Sequence, residues 1–133
     1  NDFTVVGHLG NRLLILTNQE APFYKLISVD YTHPLFQQTI ISEKKTDREV
    51  LQSVELVGDR IFAQYLKDAG SRACFYDYQG HYLSELSLPA IGTLSGFNGE
   101  KNNFTAYYGF TSFTNPGSIY KLDLKSGKTE VYK

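Results

Sequence analysis

AYYGFTSFTNPGSIYKLDLKSGKTEVY, residues Ala106 to Tyr132, reads as strand, turn, strand, turn, strand. Tyr107, Tyr108 and Phe110 fall in an aromatic-rich run that suits a pleated, half-buried surface. Asn115-Pro116-Gly117 then breaks the ladder, because proline has no N–H to donate and glycine tolerates positive φ. Ile119 to Leu124 alternates: Tyr120, Leu122 and Leu124 take one face, Lys121 and Asp123 the other. Ser126-Gly127 turns the chain again, and Thr129 to Tyr132 is a short closing strand. The stretch is an antiparallel meander that carries no chemistry of its own.

Weaker copies lie upstream. Tyr24 to Asp30, Arg72 to Asp77 and Ile119 to Leu124 are strand-like runs bearing Asp30, Asp77 and Asp123, spaced 47 and 46 residues apart. The strands that open the preceding hairpins begin at Arg12, Arg60 and Asn103, spaced 48 and 43 apart. Two follow tight polar turns, Gly10-Asn11 and Gly58-Asp59; the third follows a looser turn, Gly99 to Asn102. A strand with an apolar face precedes each turn: Phe3 to Leu9, Val50 to Val57, Leu94 to Phe97. A fourth strand closes each unit: Gln37 to Ser42, Tyr82 to Leu88, Thr129 to Tyr132. Leu51 to Leu56 could pass for helix but is too short to stand alone. Four strands recurring with this period match a propeller blade of roughly 40–50 residues. The fold expected is all-β, a partial β-propeller of about three four-stranded antiparallel blades, 1–46, 47–90 and 91–133. A β-sandwich with evenly spaced strands is the competing reading, and the threefold recurrence of the same order of features favours the propeller.

Composition excludes several function classes. The 133 residues are 41% hydrophobic and 20% charged, which places the chain among globular rather than disordered proteins. The net charge is −1 and no basic stripe occurs, so nucleic acid is not expected as a partner. The mixed cluster Glu43 to Arg48 reads as a solvated turn. The longest apolar run, Leu13 to Leu16, is far too short to span a bilayer, so no membrane partner is expected. No signal peptide is visible, and the first residues lack Met and enter a strand pattern at once; an excised piece of a longer protein is expected. The single cysteine, Cys74, sits in a strand-like run and reads as a small core residue rather than a reactive thiol. The compartment stays open, cytoplasmic or periplasmic.

No catalytic, cofactor-binding or metal-ligating residue is assigned. A Gly-x-Ser-x-Gly elbow is absent, and Gly92 to Gly96 has the wrong spacing. His8, His33 and His81 are far apart and read as surface or turn residues; no His-Glu-x-x-His, cysteine pair or Asp-rich calcium loop accompanies them. Asn103-Phe104-Thr105 fits the glycosylation pattern but falls inside an expected strand. Ten tyrosines and nine phenylalanines raise the question of an aromatic binding platform. Their alternating positions favour core packing, and the exposure of Tyr65, Tyr107 and Tyr108 decides the matter.

Tyr76 to Gly80, Leu86 to Pro89, Gly92 to Gly96 and, most specifically, Phe110-Thr111-Ser112-Phe113-Thr114-Asn115-Pro116-Gly117-Ser118-Ile119-Tyr120 follow one another with a familiar spacing. They resemble the last blades of the propeller domain of the prolyl oligopeptidase family, and Tyr24 to Asp30 is similar to the preceding blade. The resemblance implies a two-domain serine peptidase, in which a seven-bladed propeller covers an α/β-hydrolase domain. The propeller restricts access, so that short peptides reach the pocket and are cut after proline. The triad belongs to the hydrolase domain, which is absent from this chain; about four more blades are expected upstream. The implied partners are that hydrolase domain, the missing blades and short proline-containing peptides. The alternative is a propeller or solitary β domain that binds a protein or glycan without catalysis. An isolated three-blade piece bares two blade faces and is expected to self-associate, two copies closing a six-bladed ring with two-fold symmetry.

Overall fold

The computed structural model describes residues 2–35, 37–67, 70–88, 91–99, 104–112, 114 and 117–132. The strands are β1 (Phe3–Leu9), β2 (Arg12–Thr17), β3 (Lys25–Asp30), β4 (Gln37–Ile41), β5 (Val50–Val57) and β6 (Arg60–Lys67). They continue with β7 (Gly70–Tyr76), β8 (Tyr82–Glu85), β9 (Gly92–Gly99), β10 (Thr105–Ser112), β11 (Ser118–Asp123) and β12 (Thr129–Val131). They form three four-stranded antiparallel meanders, β1-β2-β3-β4, β5-β6-β7-β8 and β9-β10-β11-β12. No helix occurs among the described residues, and Leu51 to Leu56, the one helix-like fragment, lies wholly in β5. The turn residues Asn115 and Pro116, and Phe113, Pro89 and Asn103, lie outside the described residues.

Local chemistry sets each register. Gly10 (φ +57°) and Gly58 (φ +55°) take the first position of the two-residue turns β1–β2 and β5–β6, where the backbone twist of a hairpin demands positive φ. The recurring aspartates cap the turns that follow β3, β7 and β11. Asp30, Asp77 and Asp123 each accept, at 2.9 Å, the N–H of the residue two places on: Thr32, Gln79 and Lys125. An Asx turn of this kind lets the side chain stand in for the missing ladder partner.

The middle sheet is covered on both faces. Ile61, Ala63, Tyr65, Cys74 and Tyr76 pack with Leu14, Leu16 and Leu26 of the first sheet. Phe62, Ala73 and Phe75, the alternate residues, pack with Phe97, Tyr108, Phe110 and Leu122 of the third. Two covered faces explain why Ile61 to Ala63 of β6 and Ala73 to Tyr76 of β7 are apolar at successive positions, whereas burial in β10, with one covered face, alternates. Phe62 and Phe97 stack with centroids 3.6 Å apart and planes 9° from parallel.

The first strands β1, β5 and β9 are neighbours. Leu56 of β5 crosses close over Gly7 of β1, and Val57 over Gly99 of β9, where a Cβ would sit 2.7 Å and 2.6 Å from those side chains. Each first strand also pairs with its second strand through a bulge: between Val5 and Gly7, between Leu51 and Ser53, and opposite Tyr107–Gly109. A bulge adds twist and bends the strand. The sheets therefore fan out from a common line of inner strands, which is the geometry of a partial β-propeller.

The side-chain contact between the second and third sheets sets a measurable stability. Phe97→Ala should lower the unfolding free energy of the chain by about 3–5 kcal/mol in urea denaturation. Val131→Ala, at an exposed strand position, should change it by less than about 0.5 kcal/mol.

Candidate functional site

The described residues hold one dense polar constellation, at the end of the sheets where the inter-sheet links run. Glu49, at the end of the link from the first to the second sheet, is buried. Arg72 of β7 grips it twice, Nε donating to Oε2 at 2.7 Å and Nη2 to Oε1 at 2.8 Å. Nη1 of Arg72 also donates to Glu85 Oε1 at 3.2 Å and lies 3.3 Å from Cys74 Sγ. The guanidinium sits over the Tyr65 ring at 5.4 Å, with Lys44 Nζ at 5.8 Å from the same ring. Tyr65 and Tyr76 share a hydroxyl–hydroxyl hydrogen bond of 3.1 Å. The rest of the link is fastened to the first sheet. Glu43 Oε2 accepts the Phe23 N–H at 2.7 Å, the Leu51 N–H donates to the Phe23 carbonyl at 2.9 Å, and Arg48 lies over the Phe23 ring.

The electrostatics follow from this geometry. Hydrogen bonds from Arg72 hold the Glu49 carboxyl below the usual carboxylate range, and the same bonds raise Arg72. Burial pushes the Cys74 thiol up, and likewise the Tyr65 phenol. A thiol held protonated and out of water is no nucleophile. The constellation ties the end of the link to the second sheet, with Arg72 shared between Glu49 and Glu85. Beside it opens a cleft of about 860 Å³ whose lining includes Lys67, Ser71, Arg72, Glu85, Leu88 and Ile91.

The sequence-based candidates fall elsewhere. Tyr65 and Tyr108 are 0% and 1% exposed and serve the core. Tyr107 is half-buried on the outward face of the third sheet, edge-on to Tyr132 at 5.0 Å. Cys74 is a buried core residue. His8 is exposed on β1, while His33 and His81 sit in the turns after β3 and β7. His81 Nδ1 lies 2.9 Å from Asp77 Oδ2, and His33 Nδ1 lies 3.9 Å from Asp30 Oδ2. Both are exposed pairs within single turns, and hydrogen bonds hold the carboxylates below their ordinary range, first from the Thr32 hydroxyl to Asp30, from the His81 N–H to Asp77 and from the Lys125 N–H to Asp123. No cluster of three metal-ligating side chains occurs among the described residues. No helix of the described residues is long and apolar enough to cross a membrane. The Glu49–Arg72 pair escaped the sequence reading, because its members are 23 residues apart. The Glu43–Arg48 cluster, read as a solvated turn, is exposed from Lys45 to Arg48, whereas Glu43 and Lys44 are half-buried.

Consecutive four-stranded meanders fanned about a line of inner strands define a run of β-propeller blades. The family described as "Prolyl oligopeptidase, N-terminal beta-propeller domain" matches residues 1–133, and the chain belongs to it. It is 34% identical over 126 residues to a prolyl endopeptidase of Elizabethkingia miricola, covering 93% of this chain and 17% of that protein. It is 28% identical over 132 residues to the dual function macrocyclase-peptidase POPB of Amanita bisporigera, covering 97% of this chain and 18% of that one. A solved structure from a study of two prolyl endopeptidases and their inter-domain dynamics superposes with a TM-score of 0.90 at 32% identity, over 98% of this chain and 19% of that chain. Apo prolyl oligopeptidase B of Galerina marginata has the same fold, with a TM-score of 0.90 at 22% identity, over 99% of this chain and 19% of that one. The chain thus spans less than a fifth of the length of these relatives.

The clamp predicts an acid response. Glu49, Asp30, Asp77 and Asp123 are all lowered in the fold. Their stabilisation is complete above the unfolded carboxylate values of about 4 and is lost as pH falls through the lower folded values. Urea midpoints measured from neutral to acid pH should fall in that window. Glu49→Gln should cost about 3 kcal/mol at neutral pH and make the acid fall shallower.

Proposed function

We propose that this chain is part of the gating propeller of a prolyl oligopeptidase-type serine peptidase, whose catalytic groups lie in a separate hydrolase domain. The observation that carries the reading is the match to prolyl oligopeptidase propellers over all 133 residues, joined to relatives named as prolyl endopeptidases. In this role the sheets act sterically. They narrow the approach to the hydrolase pocket, short peptides pass and are cut after proline, and domain opening admits them.

The blades are assigned as 1–46, 47–90 and 91–133, and as the last of the ring. The two outward faces support that order. The face of the first sheet away from the second carries Val5, Leu13, Ile15, Ile27 and Val29, of which Val5 is exposed, Leu13, Ile15 and Val29 are half-buried and Ile27 is buried, and cross-strand pairing joins Val5, Ile15 and Ile27 in one row. The equivalent face of the second sheet is covered by a whole sheet. The third sheet turns outward Ser95, Asn98, Tyr107, Gly109, Ile119 and Lys121, a more polar surface suited to a wetter seam. Upstream blades cover the first face in the parent.

Two measurements test the proposal. The full-length parent should cleave a short chromogenic peptide with proline at the cleaved bond, while this chain alone is inert. An inert parent would leave a non-catalytic binding propeller as the better account. In the isolated chain, the partly exposed apolar face of the first sheet should drive self-association. Sedimentation should show a dimer that Ile15→Lys dissociates, and a monomer at every concentration would refute the association.

A further inference from the structure

The two ends of the fanned sheets differ in kind. At one end lie the hairpin turns at Gly10 and Gly58 and the three aspartate-capped turns, whose polar groups are largely engaged by their own backbone. At the other end lie the inter-sheet links, the clamp and the cleft of about 860 Å³. Every described non-glycine residue with positive φ is also there: Glu20 (+53°) and Tyr24 (+70°) between β2 and β3, and Arg48 (+55°) in the link. Strained backbone persists only where its surroundings over-determine it, and it gathers at working surfaces. Asp2 and Tyr132 emerge at this end as well, since β1 runs away from it and β12 runs towards it. Any polypeptide joined to either therefore meets the sheets here.

Ile91 stands out on this end. It is 85% exposed. It passes near Gly70, where an added Cβ would lie 3.2 Å from Ile91 Cγ2. Leu88 shares the cleft with it, and Lys67 and Glu85 flank them with charges of both signs. An exposed aliphatic side chain beside a cleft fits an apolar contact on another folded surface better than it fits water.

We propose that Ile91 and the adjoining cleft form the latch on which the parent's hydrolase domain closes. This rests on the peptidase reading above and adds to it a place and a residue. Closure buries Ile91 against an apolar patch of the hydrolase domain, with Lys67 and Glu85 at the rim of the contact. Weakening the latch favours the open form and relaxes the exclusion of longer peptides.

The test uses the full-length parent with Ile91→Asp, the conservative Ile91→Val, and Leu35→Asp. Leu35 is 99% exposed in the turn after β3, at the opposite end, and serves as the control. Cleavage is measured on a short proline peptide and on one several times longer, and the radius of gyration is taken from small-angle scattering. Ile91→Asp should raise the ratio of long- to short-peptide cleavage several-fold and enlarge the radius, with Ile91→Val and Leu35→Asp near wild type. An unchanged ratio and radius for Ile91→Asp, or the same change for Leu35→Asp, overturns the latch. A parent inert on proline peptides overturns the peptidase reading instead, and scattering still reports whether Ile91 holds two domains together.

Discussion

A four-stranded sheet has two faces, and water tolerates neither when both are apolar. That constraint governs this protein. The second sheet carries apolar side chains at successive positions of β6 and β7, so it can exist only between two others. Its neighbours supply the cover, Leu14, Leu16 and Leu26 on one side and Phe97, Tyr108 and Phe110 on the other. Everything else in the structure arranges for that sandwich to form in the right order: short turns that keep each meander local, and links that place the next meander beside the last.

The two interfaces are fastened differently. Between the first and second sheets, the link is held by charge: Glu43 on the Phe23 N–H, Glu49 in the fork of Arg72, and two cations over Tyr65. Between the second and third, the bond is chiefly aromatic stacking, Phe62 on Phe97. Two hydrogen bonds to the Leu94 backbone add to it, its N–H donating to Ser71 Oγ at 3.1 Å and its carbonyl accepting from Gln64 Nε2 at 3.2 Å. Buried ion pairs fix geometry more than they add net stability, because desolvation offsets much of the Coulomb gain.

The sequence made the meanders legible because their signals are local. Alternation in Ile119 to Leu124, the Gly10 and Gly58 turns and the spacing of Asp30, Asp77 and Asp123 all act within a few residues. Strand ends were less legible: β8 stops at Glu85 and β4 at Ile41, short of the runs that pattern suggested, while β9 extends to Gly92 and Gly99. The meaning of the aspartates was hidden too, since a repeat marks a position without saying which N–H groups it caps. The candidate site was not legible at all. Glu49 and Arg72 meet only because β7 lies two strands from β5, and no pattern within either segment encodes that distance. Tyr65 illustrates the general case: an aromatic in a strand packs or binds depending on what the next sheet brings, which is a property of the stack.

Each sheet is built from strands consecutive in the chain, and among the described residues no strand of one sheet pairs into another. The structure is therefore mechanically anisotropic. Within a sheet, a ladder of backbone hydrogen bonds resists tension across the strands. Between sheets, resistance comes mainly from side-chain contacts and a few polar ties, which yield to small sliding displacements at far lower cost. Under load the fan would spread at its seams, like leaves of a hinge, long before any one leaf unzipped. Such spreading breaks no backbone ladder.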